Sequence, residues 1–345
     1  MHILITGGAG FVGARLARKI LDAGVLTVDG QPAVPVDRVT LVDLLASADL
    51  TDDPRVHNIV ADLAGSRSGE VDLMGSPAGS ALARADVIFH LAAAVSAECE
   101  TDFDLGMRSN LLGGYALLEA ARSLGTVPVL VFASSLAVFG RTPEQPLPDV
   151  VTDTTLPTPL TSYGTQKFMM EQLVADYTRK GFVRGRSVRL MTVSVRPGRP
   201  NGAASGFLSS IIREPLAGVR AVCPVSPETE VALSSPARTI EGLFLAAAAS
   251  AAEWGSRAAL NLPSISTTVA GMVSALAEVA GPDVAGLIDW VPDPQIEEIL
   301  ASWPARFSTE RAAGLGLRSD SDFESIIRGY LRDAPAAGEG ASRHR

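Results

Sequence analysis

The chain has 345 residues, 47% hydrophobic and 19% charged, with a formal charge of -9. That is globular composition with room for one large or two smaller cores, and an acidic balance without a dense Lys/Arg run excludes an electrostatic footprint for nucleic acid. The apolar run near 242–252 is far short of a bilayer span, and Met1 leads straight into strand-like sequence, so neither a membrane anchor nor a signal peptide is expected.

Two distant cysteines, Cys99 and Cys223, in a chain that reads as cytoplasmic predict reduced thiols. Four scattered histidines suggest no metal cluster.

The first predicted strand, 2–6, runs into Gly7-Gly-Ala-Gly10-Phe-Val-Gly13 and then a helix closed by Gly24. Glycines between a strand and a helix let the backbone approach a pyrophosphate, whose charge meets the unpaired N–H groups at the helix start. A second strand, 39–42, ends in Asp43, whose carboxylate can accept bonds from an adenosine ribose and repel a 2′-phosphate, favouring NAD over NADP. The interval from Gly13 to Asp43 is long, and an inserted loop at 27–37, with Gly30, Pro32 and Pro35, accounts for the excess. The third strand, 56–60, is followed by Asp62-Leu63, read either as an edge contact for adenine or as a cap on the next helix.

The fourth strand, 87–93, carries His90-Leu-Ala-Ala93, with small residues that leave room for a cofactor and a histidine that reads as packed core. A long helix over 104–124 contains Asn110, for which solvent exposure is the simplest expectation. The fifth strand, 129–133, delivers Ser134-Ser135 to its carboxyl end, where open parallel sheets bind ligands.

After a proline-rich loop, Thr161-Ser-Tyr-Gly-Thr-Gln-Lys167 opens a helix, and the spacing of four puts Tyr163 and Lys167 on one face. A phenol beside a fixed ammonium is easier to deprotonate, so Tyr163 is a candidate base. Met169, Met170, Leu173, Val174 and Tyr177 share a broad inner face, whereas Phe168 points elsewhere and is read as a mark of a subunit interface. A sixth strand, 188–195, closes on Arg196-Pro-Gly198.

Alternation of strand and helix over this length predicts an α/β fold with a doubly wound parallel sheet. Helices at 205–216, 237–252, 269–280 and 322–331, with short strands near 221–225 and 259–262, predict a smaller mixed α/β lobe that binds substrate. The expected organisation is a nucleotide-binding domain over 1–200, a substrate lobe over 201–333 and a disordered tail over 334–345.

With the glycine turn, Ser135, Tyr163, Lys167 and the Pro197-Gly198 turn in order, the chain resembles the extended short-chain dehydrogenases/reductases of the NAD-dependent epimerase/dehydratase group, over residues 1–332. The resemblance implies a Rossmann-type domain and a homodimer built partly from the Tyr163 helix. It also implies Tyr163 as general acid/base, Lys167 as ribose holder and modulator of the phenol, and Ser135 as hydrogen-bond donor to the reacting oxygen. Gly7, Gly10, Phe11, Gly13, Asp43, Asp62, Leu63, Leu91, Ala93, Asn110 and Pro197 match NAD-contact positions, alongside Ser135, Tyr163 and Lys167.

Dehydratases of that group carry an Asp-Glu pair directly after the Ser/Thr, where this chain has Leu136-Ala137. Epimerases of nucleotide sugars usually place a diphosphate-clamping Arg a few residues before the segment corresponding to Val231-Ala-Leu-Ser-Ser-Pro236, where none stands, although Arg238 follows. Phe103-Asp-Leu-Gly106, Ser135-Leu-Ala-Val-Phe-Gly140, Ser194-Val-Arg-Pro-Gly198, Ile211-Ile-Arg-Glu-Pro-Leu216 and Ser302-Trp-Pro304 are instead similar to segments of small-sugar-acid dehydrogenases within the group. The implied reaction is NAD-dependent oxidation of the C2 hydroxyl of a four-carbon sugar acid, with a nucleotide-sugar epimerase and a non-catalytic NAD-binding regulator as alternatives. An anionic substrate wants a planar guanidinium, for which Arg199 and Arg213 are the candidates.

Overall fold

The protein, analysed as a computed structural model, is described for residues 1–47, 50–64, 73, 76–198 and 204–333. Arg199 and the tail at 334–345 therefore lie outside the described residues.

Among the described residues, seven strands form a central parallel sheet in the order Leu260–Asn261, Arg184–Leu190, Val129–Ser135, Val87–His90, His2–Thr6, Arg38–Asp43 and Val56–Val60. Six consecutive residues of Val129–Ser135 are buried, as expected of a strand covered by helices on both sides. Succession runs outward in both directions from the first strand, so the switch point lies between His2–Thr6 and Val87–His90. A crevice outside the carboxyl ends of these strands is where such sheets bind ligands.

Two apolar layers sandwich the sheet. On one face Leu16, Ile20, Leu243 and Ala246 pack against Ile3, Ile5 and Val131. On the other, Leu117, Ala121, Met170 and Val174 pack against Leu4, Ile88 and Leu130. A third core, built on Leu208, Ile211, Leu233, Met272, Leu276 and Ile327, belongs to the second lobe.

Several boundaries differ from expectation. The sixth strand ends at Leu190; Thr192–Val193 leaves the main sheet and joins Glu230–Ser234, which also pairs with Ile265–Thr268, in the second lobe. The predicted strand near 259–262 is an edge of the main sheet, and the helix Pro236–Ala248 covers that sheet. Beyond residue 200 the chain thus contributes both to the second core and to the main sheet. The helix expected over 104–124 is divided into Phe103–Gly106, a π-helical turn at Met107–Leu112 and Gly113–Leu124, and a separate short helix, Ser96–Thr101, precedes it. Residues 27–37 contain a strand, Val34–Pro35, that pairs antiparallel with Val25–Leu26.

Among the described residues no helix is long and apolar enough to cross a membrane. Both cysteines are buried free thiols.

Candidate active site

Residues Gly7–Gly13 turn tightly at the end of the first strand. Gly7 has φ 69°, and a Cβ on Gly13 would lie 2.1 Å from the Gly7 carbonyl oxygen, so the helix Phe11–Ala23 can start this close to the strand only with glycine there. Gly10, the N-cap, makes no side-chain capping bond, which leaves first-turn N–H groups to meet a phosphate. Asp43 ends the neighbouring strand; one carboxylate oxygen accepts from Ala9 N at 2.9 Å and the other from Leu44 N at 2.7 Å. These bonds aim the carboxylate and leave each oxygen a lone pair for a ribose hydroxyl. Phe11 and Pro197 line a groove beside Gly10 together with Ala14, Arg15 and Pro236. The turn, the uncapped helix start and the fixed carboxylate fit an NAD molecule.

The helix Ser162–Arg179 is capped by Thr161 Oγ1, which accepts from Gly164 N at 3.0 Å. A Cβ on Gly164 would lie 2.1 Å from the carbonyl oxygen of Ala137. This glycine lets the helix ride directly on the Ser135–Ala137 turn and sets Tyr163 beside Ser135. Lys167, 3% exposed, donates from Nζ to the Ala133 carbonyl at 2.9 Å and lies 5.7 Å from the centre of the Tyr163 ring.

Ser135, Tyr163 and Lys167 therefore meet, and they line one cavity of about 220 Å³ together with Leu91, Ala93 and Arg196. Burial pushes the Tyr163 phenol up to about 12, with the Ser135 hydrogen bond and the Arg196 charge pulling the other way. Burial likewise lowers Lys167 to about 8, against the attraction of Cys99 and Glu171. The lowering of Tyr163 expected from Lys167 is not found: burial raises the phenol, and the cation that acts on it is Arg196.

Several expected contacts are placed differently. Asn110 is buried, not exposed: it accepts from Ala94 N at 2.8 Å and donates to the Ala94 carbonyl at 3.2 Å and to Gln166 Oε1 at 2.8 Å. It holds the Ala93-Ala94 loop against the Tyr163 helix. Asp62 caps its own turn through Ala64 N at 2.9 Å, and the Leu63 side chain packs into the core. His90 is core, its Nδ1 2.7 Å from Thr6 Oγ1. Phe168 packs within the subunit beside Phe139 and Val151, and it is Met169, 42% exposed, that points outward.

Arg213, expected on the substrate, spends its guanidinium on the Arg196 carbonyl at 2.7 Å, Ser210 at 3.2 Å and Glu214 at 2.6 Å. It does not reach the cavity; Arg196 does. Arg196 belongs to no motif that singles it out in the sequence; its position in the Arg196-Pro-Gly198 turn is the signal for it. The buried pair of Glu171 and Arg189 lies beneath the site, and its signal in the sequence is Glu171 one helical turn after Lys167.

Residues 3–225 match the family model described as the NAD dependent epimerase/dehydratase family. The chain is 47% identical over 337 residues to a D-erythronate dehydrogenase of Cupriavidus necator, covering 98% of this chain and all of that one. A D-erythronate dehydrogenase of Haemophilus influenzae is 40% identical over 331 residues, covering 96% and 99%. A solved structure titled as a nucleoside-diphosphate-sugar epimerase from Agrobacterium tumefaciens superposes with a TM-score of 0.85 at 40% identity, covering 96% of this chain and 94% of that one. Fold and site define a nicotinamide-dependent α/β enzyme class, and the chain belongs to the NAD dependent epimerase/dehydratase family. Its cofactor is NAD.

Proposed function

We propose that this protein oxidises the C2 hydroxyl of a small sugar acid, D-erythronate first, to 2-oxo-D-erythronate. Bound NAD supplies the hydride acceptor. Tyr163 takes the hydroxyl proton, and Ser135 hydrogen-bonds the same oxygen as it becomes a carbonyl. Lys167, held between the Ala133 carbonyl and the Tyr163 ring, secures the ribose. Gly7, Gly10, Phe11, Gly13, Asp43, Leu91, Ala93 and Pro197 form the rest of the cofactor bed.

One observation carries the substrate class. Two D-erythronate dehydrogenases align with this chain over nearly their whole length, at 47% and 40% identity. The cavity that holds Ser135 and Tyr163 is consistent with them, since its described lining carries Lys167 and Arg196 and no carboxylate, as a small anionic substrate requires. The likeness to the Agrobacterium structure named as an epimerase keeps a second reading in view, weakened by the absence of an Arg over residues 221–230, ahead of Val231. Leu136-Ala137, in place of an acid pair, leaves dehydration without its acid and its base.

We also propose a homodimer in the cytoplasm, its interface drawn from Phe103, Leu112, Tyr115 and Met169, exposed on the Tyr163 helix and the helices before it.

The deciding experiment incubates the purified protein and NAD with four- and five-carbon aldonates and, separately, with UDP- and GDP-linked sugars. NADH formation with D-erythronate is expected. Conversion of a nucleotide-linked sugar with no aldonate oxidised would overturn the reading.

A further inference from the structure

The geometry points to Arg196 as the residue that grips the substrate's carboxylate, an inference that rests on the small-acid reading above. The cavity around Ser135 and Tyr163 has two cations on its described lining, Lys167 and Arg196, and no Asp or Glu. Lys167 already donates to the Ala133 carbonyl and lies against the Tyr163 ring. The Nη2 of Arg196 is buried with no hydrogen-bond partner. A buried donor on a charged group is costly to leave unpaired, so this guanidinium is set up for an anion that arrives with the substrate.

The backbone of Arg196 is clamped from both sides by one helix of the second lobe, Phe207–Leu216. Its N–H donates to Ser209 Oγ at 3.0 Å, and its carbonyl accepts from Arg213 Nη1 at 2.7 Å. Arg213 is thereby a positioning residue, and its own charge is met by Glu214. A guanidinium on the same cavity lining as a Ser/Tyr pair suits a 2-hydroxy acid. The carboxylate would take parallel N–H bonds from the fork, and the adjacent C2 oxygen would fall toward Tyr163. The same charge favours the Tyr163 phenolate.

The test compares D-erythronate with its uncharged amide in wild type, Arg196→Met and Arg196→Lys, following NADH. Wild type should prefer the acid by at least about 10²-fold in kcat/KM, and Arg196→Met should lose about 10²- to 10³-fold more on the acid than on the amide, the extra loss falling mainly in KM, because the weaker phenolate slows both substrates alike. The KM for NAD should not move. Arg196→Lys, which keeps the charge and loses the fork, should retain a reduced preference for the acid. A merely structural role would lower both substrates together, so an unchanged acid-to-amide ratio in Arg196→Met would overturn the assignment. If that variant does not fold, equal use of acid and amide by wild type would overturn it as well. Failure of the small-acid reading is distinct, because wild type would then form no NADH with any aldonate.

Discussion

Arg189 and Glu171 form a buried pair directly beneath the catalytic residues, with guanidinium Nε and Nη2 on the two carboxylate oxygens at 2.9 and 2.8 Å. Glu171 Oε1 also accepts from Ser134 Oγ at 2.5 Å. The pair ties the strand Arg184–Leu190 to the helix carrying Tyr163 and to the residue before Ser135. Removing one partner strands the other charge in the interior, so Arg189→Met should lower stability by about 3–5 kcal/mol. Denaturant unfolding measures this; a loss under 1 kcal/mol would show that Glu171 finds another partner.

Tyr163→Phe keeps the ring and removes the proton acceptor, so kcat on D-erythronate should fall by about 10² to 10⁴ while NAD affinity holds. Full activity in this variant would require another base.

Asp43 should enforce NAD. Its carboxylate is fixed by Ala9 N and Leu44 N, and the exposed Leu44 and Leu45 offer a 2′-phosphate no cation. The kcat/KM for NAD should exceed that for NADP by about 10² or more, and Asp43→Asn should narrow the gap. Equal use of both cofactors would place the ribose elsewhere.

His90 should contribute to acid unfolding. Burial, with a smaller push from Lys167, lowers it from 6.5 to about 3. The unfolded chain then binds a proton that the folded chain refuses. The stability that depends on neutral His90 is full above pH 6.5 and drains away as pH falls from 6.5 through about 3. His90→Gln should flatten that part of the stability profile; an identical acid limb would remove His90 from the account.

Met169→Glu should lower the mass measured by light scattering if the outward face of the Tyr163 helix joins two subunits. Phe168 is the control, because its packing lies within the subunit and its loss should weaken folding before assembly. A mass unchanged from wild type would exclude Met169 from the interface.

Sequence alone determined the features whose chemistry is local. The glycine turn, Asp43 at a strand end, Ser135 at another and the Tyr163–Lys167 spacing depend on a few consecutive residues and on helical and strand periodicity, and each was legible one segment at a time. Tertiary structure decided what depends on the approach of distant segments. Asn110 is buried because residues 94 and 166 converge on it. Leu260–Asn261 joins the main sheet because the strand Arg184–Leu190 leaves a free edge there. Which arginine faces the reacting carbon was equally beyond periodicity: Arg196, Arg199 and Arg213 are alike in a string of letters. The turn at Arg196 and the helix carrying Arg213 send one guanidinium into the cavity and bind the other to that turn's backbone.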